Sequence, residues 1–242
     1  MFLKKVTLLR DKILDFDRFP FTIPAISQLN DILFTSQVTF FVGENGSGKS
    51  TLLEAIADKC EFNTAGGSRN NVYELRDSDS HLGDYIRLSW LPKVTNGFFL
   101  RAESFYHLSL HLDEMELDAP QPYRSYGGRP LHNQSHGESF MSLFRHHFKE
   151  KAIYLLDEPE AALSPARQLA FLRVIHDLVK GGNVQMIIAT HSPILLGYPN
   201  ANILSFDGGR IHHIEYENTE HVQLTRYFLG QREKILAELF RD

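Results

Sequence analysis

Apolar positions change period several times along the chain, and each change marks an element. Lys4 to Leu9 reads as a short strand, and Phe21 to Ile26 as an edge strand interrupted by Pro24. Gln37 to Val42 is an unbroken β-branched and aromatic run, the pattern of a strand buried on both faces of a parallel sheet. A glycine-rich turn follows. Ser50 to Asp58 then carries Leu52, Leu53, Ile56 and Ala57 at helical spacing.

Residues 66–71 and 77–80 are rich in Gly, Ser, Asn and Asp and read as surface loops. Tyr85 to Trp90 returns to strand and Pro92 to Gly97 turns. Ala102 to Leu117 is helical, Pro120 to Gly128 is poor in regular structure, and Ser139 to Phe148 is an amphipathic helix. The second half alternates more cleanly. Ala152 to Leu156, Val184 to Thr190 and Ala201 to Phe206 read as strands, with a helix at Ala166 to Val179 after the first. Asp207-Gly208-Gly209 leads into Arg210 to Tyr216 as a hairpin, and Thr219 to Phe228 and Glu233 to Phe240 close the chain as helices. The pattern predicts an α/β fold: a mostly parallel central sheet, an antiparallel part on the N-terminal side, and a helical insertion around 100–150. Residues 1–242 are expected to form one domain with that helical part as a subdomain.

Composition narrows the picture modestly. With 43% hydrophobic and 23% charged residues, the chain can bury a substantial core. A formal charge of -5 argues against a wholly basic nucleic-acid-binding surface, though not against a local patch. Cys60 is the single cysteine, so an intrachain disulfide and a multi-thiolate zinc site are both excluded, and it reads as packing filler. The twelve histidines lack metal-ligand spacing backed by acidic neighbours, and most read as polar or interface residues. The N-terminus lacks a signal-peptide pattern and no stretch reaches the ~20 apolar residues that span a bilayer. The expectation is a cytoplasmic chain without direct membrane insertion.

Chemistry concentrates at three strand ends. Gly43-Glu44-Asn45-Gly46-Ser47-Gly48-Lys49-Ser50 satisfies GxxxxGK[ST] at every specified position, between a buried strand and an amphipathic helix. Glycines let successive amides curl around phosphate oxygens, and the helix start adds partial positive charge. Lys49 suits the β- and γ-phosphates of ATP, and Ser50 suits Mg²⁺. Thr51 is a phosphate neighbour or a packing residue. Ile153 to Leu156 runs into Asp157-Glu158. At the sheet edge that also carries the phosphate loop, Asp157 suits Mg²⁺, and Glu158 suits orienting or deprotonating the attacking water. Pro159 stops the strand, and Ser164-Pro165 suits a helix N-cap and N1. Val184 to Ala189 ends at Thr190-His191-Ser192. Taken alone His191 is a capping or packing histidine; beside the other two motifs it suits sensing the γ-phosphate.

These motifs resemble the ABC-type ATPase superfamily, nearest its compact members related to RecF and structural-maintenance-of-chromosomes heads. The resemblance covers Gln37 to Phe206. Within it, Asn133-Gln134-Ser135-His136-Gly137-Glu138 is similar to the LSGGQ signature, with His136 and Glu138 departing from it. The resemblance implies that Ser135 and Gly137 close over nucleotide held by another copy; the plainer reading of Ser135 is an N-cap of the following helix. Ala161 to Ser164 resembles the segment linking two sites across the family dimer, with Ser164 in place of aspartate. Ala102-Glu103-Ser104-Phe105 falls where the family has a glutamine-bearing loop, which makes Glu103 a candidate for a Mg²⁺-bound water. Phe16, Phe19 and Phe21 lie in the region where the family places the aromatic that stacks on adenine, and all three equally suit the core. The implied activity is Mg²⁺-dependent ATP hydrolysis with nucleotide-driven closure of a homodimer. DNA maintenance or defence, a protein-interaction switch and a transporter subunit are the settings it leaves open.

Overall fold

The computed structural model describes residues 1–64, 66–68, 81–103, 105–117, 123–124, 127–146 and 151–241. Most of the two surface-loop readings, the start of the irregular stretch at 120–128, Ser104, the end of the helix read to Phe148 and the His136 side chain lie outside them.

Nine strands are described: β1 Leu3–Leu8, β2 Asp31–Leu33, β3 Val38–Val42, β4 Ile86–Trp90, β5 Gly97–Arg101, β6 Ala152–Asp157, β7 Val184–Ala189, β8 Asn202–Ser205 and β9 His212–His213. The helices are α1 Pro24–Ser27, α2 Lys49–Lys59, α3 Phe105–Glu116, α4 His136–His146, α5 Pro165–Val179, α6 Pro193–Leu196, α7 Glu220–Gly230 and α8 Arg232–Leu239.

The main sheet runs β5-β6-β7-β3-β8-β9, parallel except for β9. A separate antiparallel sheet, β2-β1-β4, stands where an antiparallel N-terminal part was expected. Strand period explains how both faces of the main sheet are buried. Phe40, Tyr154, Leu156 and Ile188 point to one side, where Leu108, Phe140, Phe144 and Phe171 of the helices cover them. Phe41, Ile153, Leu155 and Ile187 point to the other, against Leu52 and Ile56 of α2 and Leu3, Val6 and Ile32 of the small sheet. Fully buried Gln185 ties the two sheets together. Its Oε1 accepts the N–H groups of Phe2 and Leu3 at 2.7 and 2.8 Å, and its Nε2 donates to the Leu3 carbonyl at 2.9 Å. A buried amide satisfied on both ends fixes the angle of the small sheet more sharply than apolar contact would.

The register brings the strand ends level. Arg101 lies opposite Asp157, Asp157 opposite Ala189, Ala189 opposite Phe41, and Val42 opposite Ser205. Everything that follows these residues emerges at one carboxyl edge, where ligands of such sheets bind.

Four sequence expectations are corrected. Phe21 to Ile26 is not an edge strand: Pro24 begins the helical turn α1, because its fixed φ and missing N–H suit N1. Residues 97–101, placed between a turn and a helix, form β5, whose Phe98-Phe99-Leu100 core is too short to read by period. β2 was not anticipated at three residues. The helix expected from Ser139 starts at His136. Ser164 does occupy an N-cap, with its carbonyl accepting the Gln168 N–H but without a side-chain cap bond.

Candidate nucleotide site

The loop from Gly43 to Gly48 joins β3 to α2 through backbone that only glycine takes readily. Gly43 sits at φ +141°, and a Cβ there would lie 2.9 Å from Asp207 Oδ1 and 3.0 Å from Ser47 Oγ. Gly48 sits at φ +103°, with Ile23 Cγ2 3.0 Å from where its Cβ would be, so α1 presses on the loop. Asp207, just past β8, accepts the Glu44 N–H at 2.9 Å and fixes the loop from outside. Lys49 is buried, and its Nζ donates to the carbonyls of Gly43 and Glu44 at 2.7 and 2.8 Å. Burial holds the ammonium below the ordinary lysine value, while Glu158, Asp157, Asp207 and Glu160 pull it back up.

A cleft of about 220 Å³ opens over this loop, lined by Asn45, Gly46, Gly48, Lys49, Ser50, Thr51 and Glu158, with Phe19 and Ile23 on its wall. Of the three candidate phenylalanines, Phe19 is the one in the cleft, and it is half exposed. Phe21 is buried in the core, and Phe16 packs on Phe21 beneath the Arg10 guanidinium.

The acidic strand end meets the loop. Ser50 Oγ donates to Asp157 Oδ1 at 2.9 Å. Burial pushes the Asp157 carboxyl up to about 6, against the Ser50 hydrogen bond and the Arg101 charge, which lower it. Arg101 Nε stands 3.7 Å from Asp157 Oδ2, while Arg101 also pairs with Glu54 at 3.3 Å and Glu103 at 2.9 Å. Glu103 is thus an exposed carboxylate whose ion pair is with Arg101, outside the Ser50–Asp157 pair. Glu158 follows with φ 51°, a left-handed conformation costly for a non-glycine residue and met most often at functional sites. Its N–H is held by the Ala189 carbonyl at 2.9 Å, so the unusual backbone is locked to β7.

His191 completes the edge. Nε2 lies 3.6 Å from Glu158 Oε1, and Nδ1 lies 2.7 Å from Nε2 of His221. Its N–H donates to Glu160 Oε1 at 2.6 Å. Burial raises the Glu160 carboxyl, and the hydrogen bonds from His191 and Thr190 oppose that.

The signature-like segment is engaged within its own chain. Ser135 donates its hydroxyl to Glu138 Oε2 at 2.6 Å and its N–H to the same oxygen at 3.1 Å. Arg167 Nη1 donates to Ser135 Oγ at 3.3 Å. This is half of a capping box, with the carboxylate three residues on reaching back to the N-cap. Gly137 packs so tightly that a Cβ would meet the Ala162 carbonyl at 2.9 Å, which ties the start of α4 to residues 161–164.

Sequence reasoning missed Arg101, Glu160, Asp207 and His221. Glu160 had a signal, an acid two residues beyond the strand-end pair; the others are joined to the site only by tertiary structure.

Whether the site suits phosphate can be judged from its donors. Ser47 Oγ and His191 Nε2 are both buried without a hydrogen-bond partner, and both belong to segments that converge on the loop. Buried donors are nearly always satisfied, so two such groups together fit an anionic oxygen ligand. Hydroxyl and carboxylate oxygens at Ser50 and Asp157 are hard donors of the kind Mg²⁺ takes. No group of three or more His, Cys, Asp or Glu arranged to hold a metal ion by themselves is present among the described residues.

A phosphate loop at the carboxyl edge of a parallel sheet, with a hydroxyl–carboxylate pair beside it, is the arrangement of the P-loop nucleoside-triphosphatase fold. The AAA ATPase domain family matches residues 127–196, and a second AAA domain family matches residues 20–95. The xylose import ATP-binding protein of Moorella thermoacetica is 23% identical over 240 residues, covering 90% of this chain and 47% of that protein. The chain therefore spans about half the length of that relative. Protein ea59 of Escherichia phage lambda is 51% identical over 47 residues, 19% of this chain and 9% of ea59. The fold is shared with CbiO1 of Clostridium perfringens, part of an ABC transporter complex, at a TM-score of 0.52 and 17% identity, over 98% of this chain and all of that one. Over these stretches the chain is similar to ATPases of the AAA type and to ATP-binding proteins of ABC transporters. No helix among the described residues is long and apolar enough to cross a membrane.

Proposed function

We propose that this chain binds Mg²⁺-ATP in the cleft over Gly43–Thr51 and hydrolyses it to ADP and phosphate, two copies closing on two nucleotides. The observation that carries this reading is the 2.9 Å meeting of Ser50 and Asp157 beside buried Lys49, with Glu158 on the rim of the same cleft. In this reading the loop amides and Lys49 hold the β- and γ-phosphates, and Phe19 lies against the adenine. Ser50 and Asp157 would hold the Mg²⁺, which would supply positive charge beside the phosphate oxygens. Glu103, which pairs with Arg101, would meet that ion only through a Mg²⁺-bound water. Glu158 orients the attacking water and takes its proton, and His191 Nε2 faces the terminal phosphate. Within one chain these groups line one side of the nucleotide, so Ser135 and the Gly137 amide of a second copy supply the other.

Phosphate release from ATP tests the reading. Release should require Mg²⁺ and stop with excess EDTA, and equal release with and without the ion would overturn it. The superfamily resemblance supports work in DNA maintenance or defence, and the names of the import proteins among the relatives support a transport partner. Stimulation of release by DNA ends or single strands decides for the first. ATP-dependent capture of a protein with no response to DNA decides for an interaction switch or transport subunit.

A further inference from the structure

We infer that His221, on α7, is a positioning residue that fixes the tautomer and ring orientation of His191. The inference rests on the proposed hydrolytic site and deepens it, because His221 lies beyond the stretch that carries the superfamily motifs.

Two ring nitrogens 2.7 Å apart share one proton. Which ring owns it follows from the other end of His191. Its Nε2 is buried, has no hydrogen-bond partner, and faces Glu158 Oε1 at 3.6 Å. A carboxylate neighbour favours an N–H over a lone pair. Neutral imidazole has a single N–H, so placing it on Nε2 leaves Nδ1 as acceptor and makes His221 Nε2–H the donor. His191 is held neutral chiefly by its burial, then by Lys49 and His221, with Glu158 and Asp207 opposing. The ring planes are inclined at 55° with centroids 4.9 Å apart, so the two rings meet edge to edge through their nitrogens instead of stacking.

The surroundings are built to hold this pair. Glu160 fixes the His191 backbone, which leaves the ring rotation for His221 to set. The first turn of α7 is anchored to the same region. Thr219 and Val222 are buried, Thr219 Oγ1 donates to the Tyr216 carbonyl at 2.8 Å, and Tyr216 OH donates to the Pro193 carbonyl at 3.2 Å, two residues beyond His191. Further along α7 that anchoring ends, with Leu224 and Leu229 exposed. The helix is thus pinned where it carries His221. Partners that orient a functional imidazole through its second nitrogen are a general means of setting which nitrogen bears the proton.

The test compares His221→Ala, which removes the donor, with His221→Gln, whose side-chain amide offers an N–H at similar reach. His221→Ala should lower kcat about tenfold, part of what a correctly protonated group contributes, with KM for ATP unchanged. His221→Gln should restore most of the rate. Nitrogen-15 spectra of the nucleotide-free protein should show His191 protonated on Nε2 in the wild type and as a mixture of tautomers in His221→Ala. If the alanine variant fails to fold, His221→Met fills the space without a proton to give. Unchanged His191 nitrogen signals in the variant without a donor would overturn the inference, as would a glutamine variant as slow as the alanine one. The spectra do not depend on turnover. A wild type that shows the tautomer effect but releases no phosphate would refute the hydrolytic reading and leave the histidine pair standing.

Discussion

Glu158→Gln is expected to bind ATP as tightly as the unaltered protein and to release phosphate roughly a thousandfold more slowly, within the range that a positioned general base contributes. Glutamine keeps the size of the side chain and removes its charge and basicity. The backbone there is held by the Ala189 carbonyl, so the left-handed conformation at 158 should survive the change. Burial places Asp157 in the Ser50 pair and leaves Glu158 as the carboxylate facing both the cleft and His191. Nucleotide titration together with phosphate release separates the two effects. Unchanged turnover in Glu158→Gln would remove that residue from the chemistry.

Lys49→Ala should act on binding itself. The buried ammonium donates two short hydrogen bonds to the Gly43 and Glu44 carbonyls, and its positive end is held within the loop that would wrap phosphate. A hydrogen bond to a charged group contributes about 1.5–3 kcal/mol, so ATP affinity should fall by roughly one to two orders of magnitude. The folded sheet should remain, because the loop's shape also rests on the glycine conformations and on Asp207. Calorimetric titration with ATP measures the loss, and circular dichroism confirms the fold. Wild-type affinity in Lys49→Ala would contradict the placement of the phosphates.

The parts legible in the sequence are those in which local pattern and tertiary role agree. The unbroken run before Gly43 is a central strand covered on both faces, and the glycines mark backbone that other residues resist. Phe21 to Ile26 misled because its apolar residues face the core from a helical turn, and Pro24 fits a helix start as well as it fits an edge. β5 is a strand because β6 pairs with it, which its own five residues cannot announce. The missed site residues share a cause. Asp207 reaches a loop far earlier in the chain, and His221 arrives on a helix after the last parallel strand; both contacts exist only once the sheet order is set. Ser135 shows both cases: its N-cap role and the Glu138 contact three residues on follow from local spacing, while its engagement by Arg167 does not.

That engagement bears on the central proposal, that a second copy completes the site when ATP is bound. Closure would draw Ser135 from its own carboxylate toward a neighbour's phosphate, a more highly charged acceptor. Light scattering of Glu158→Gln in Mg²⁺-ATP tests this most directly, because slow hydrolysis preserves the bound state. The mass should double on adding nucleotide, and should stay at one chain when Ser135→Arg is added to the same protein. A Glu158→Gln protein that remains monomeric at high concentration while saturated with ATP would contradict the account.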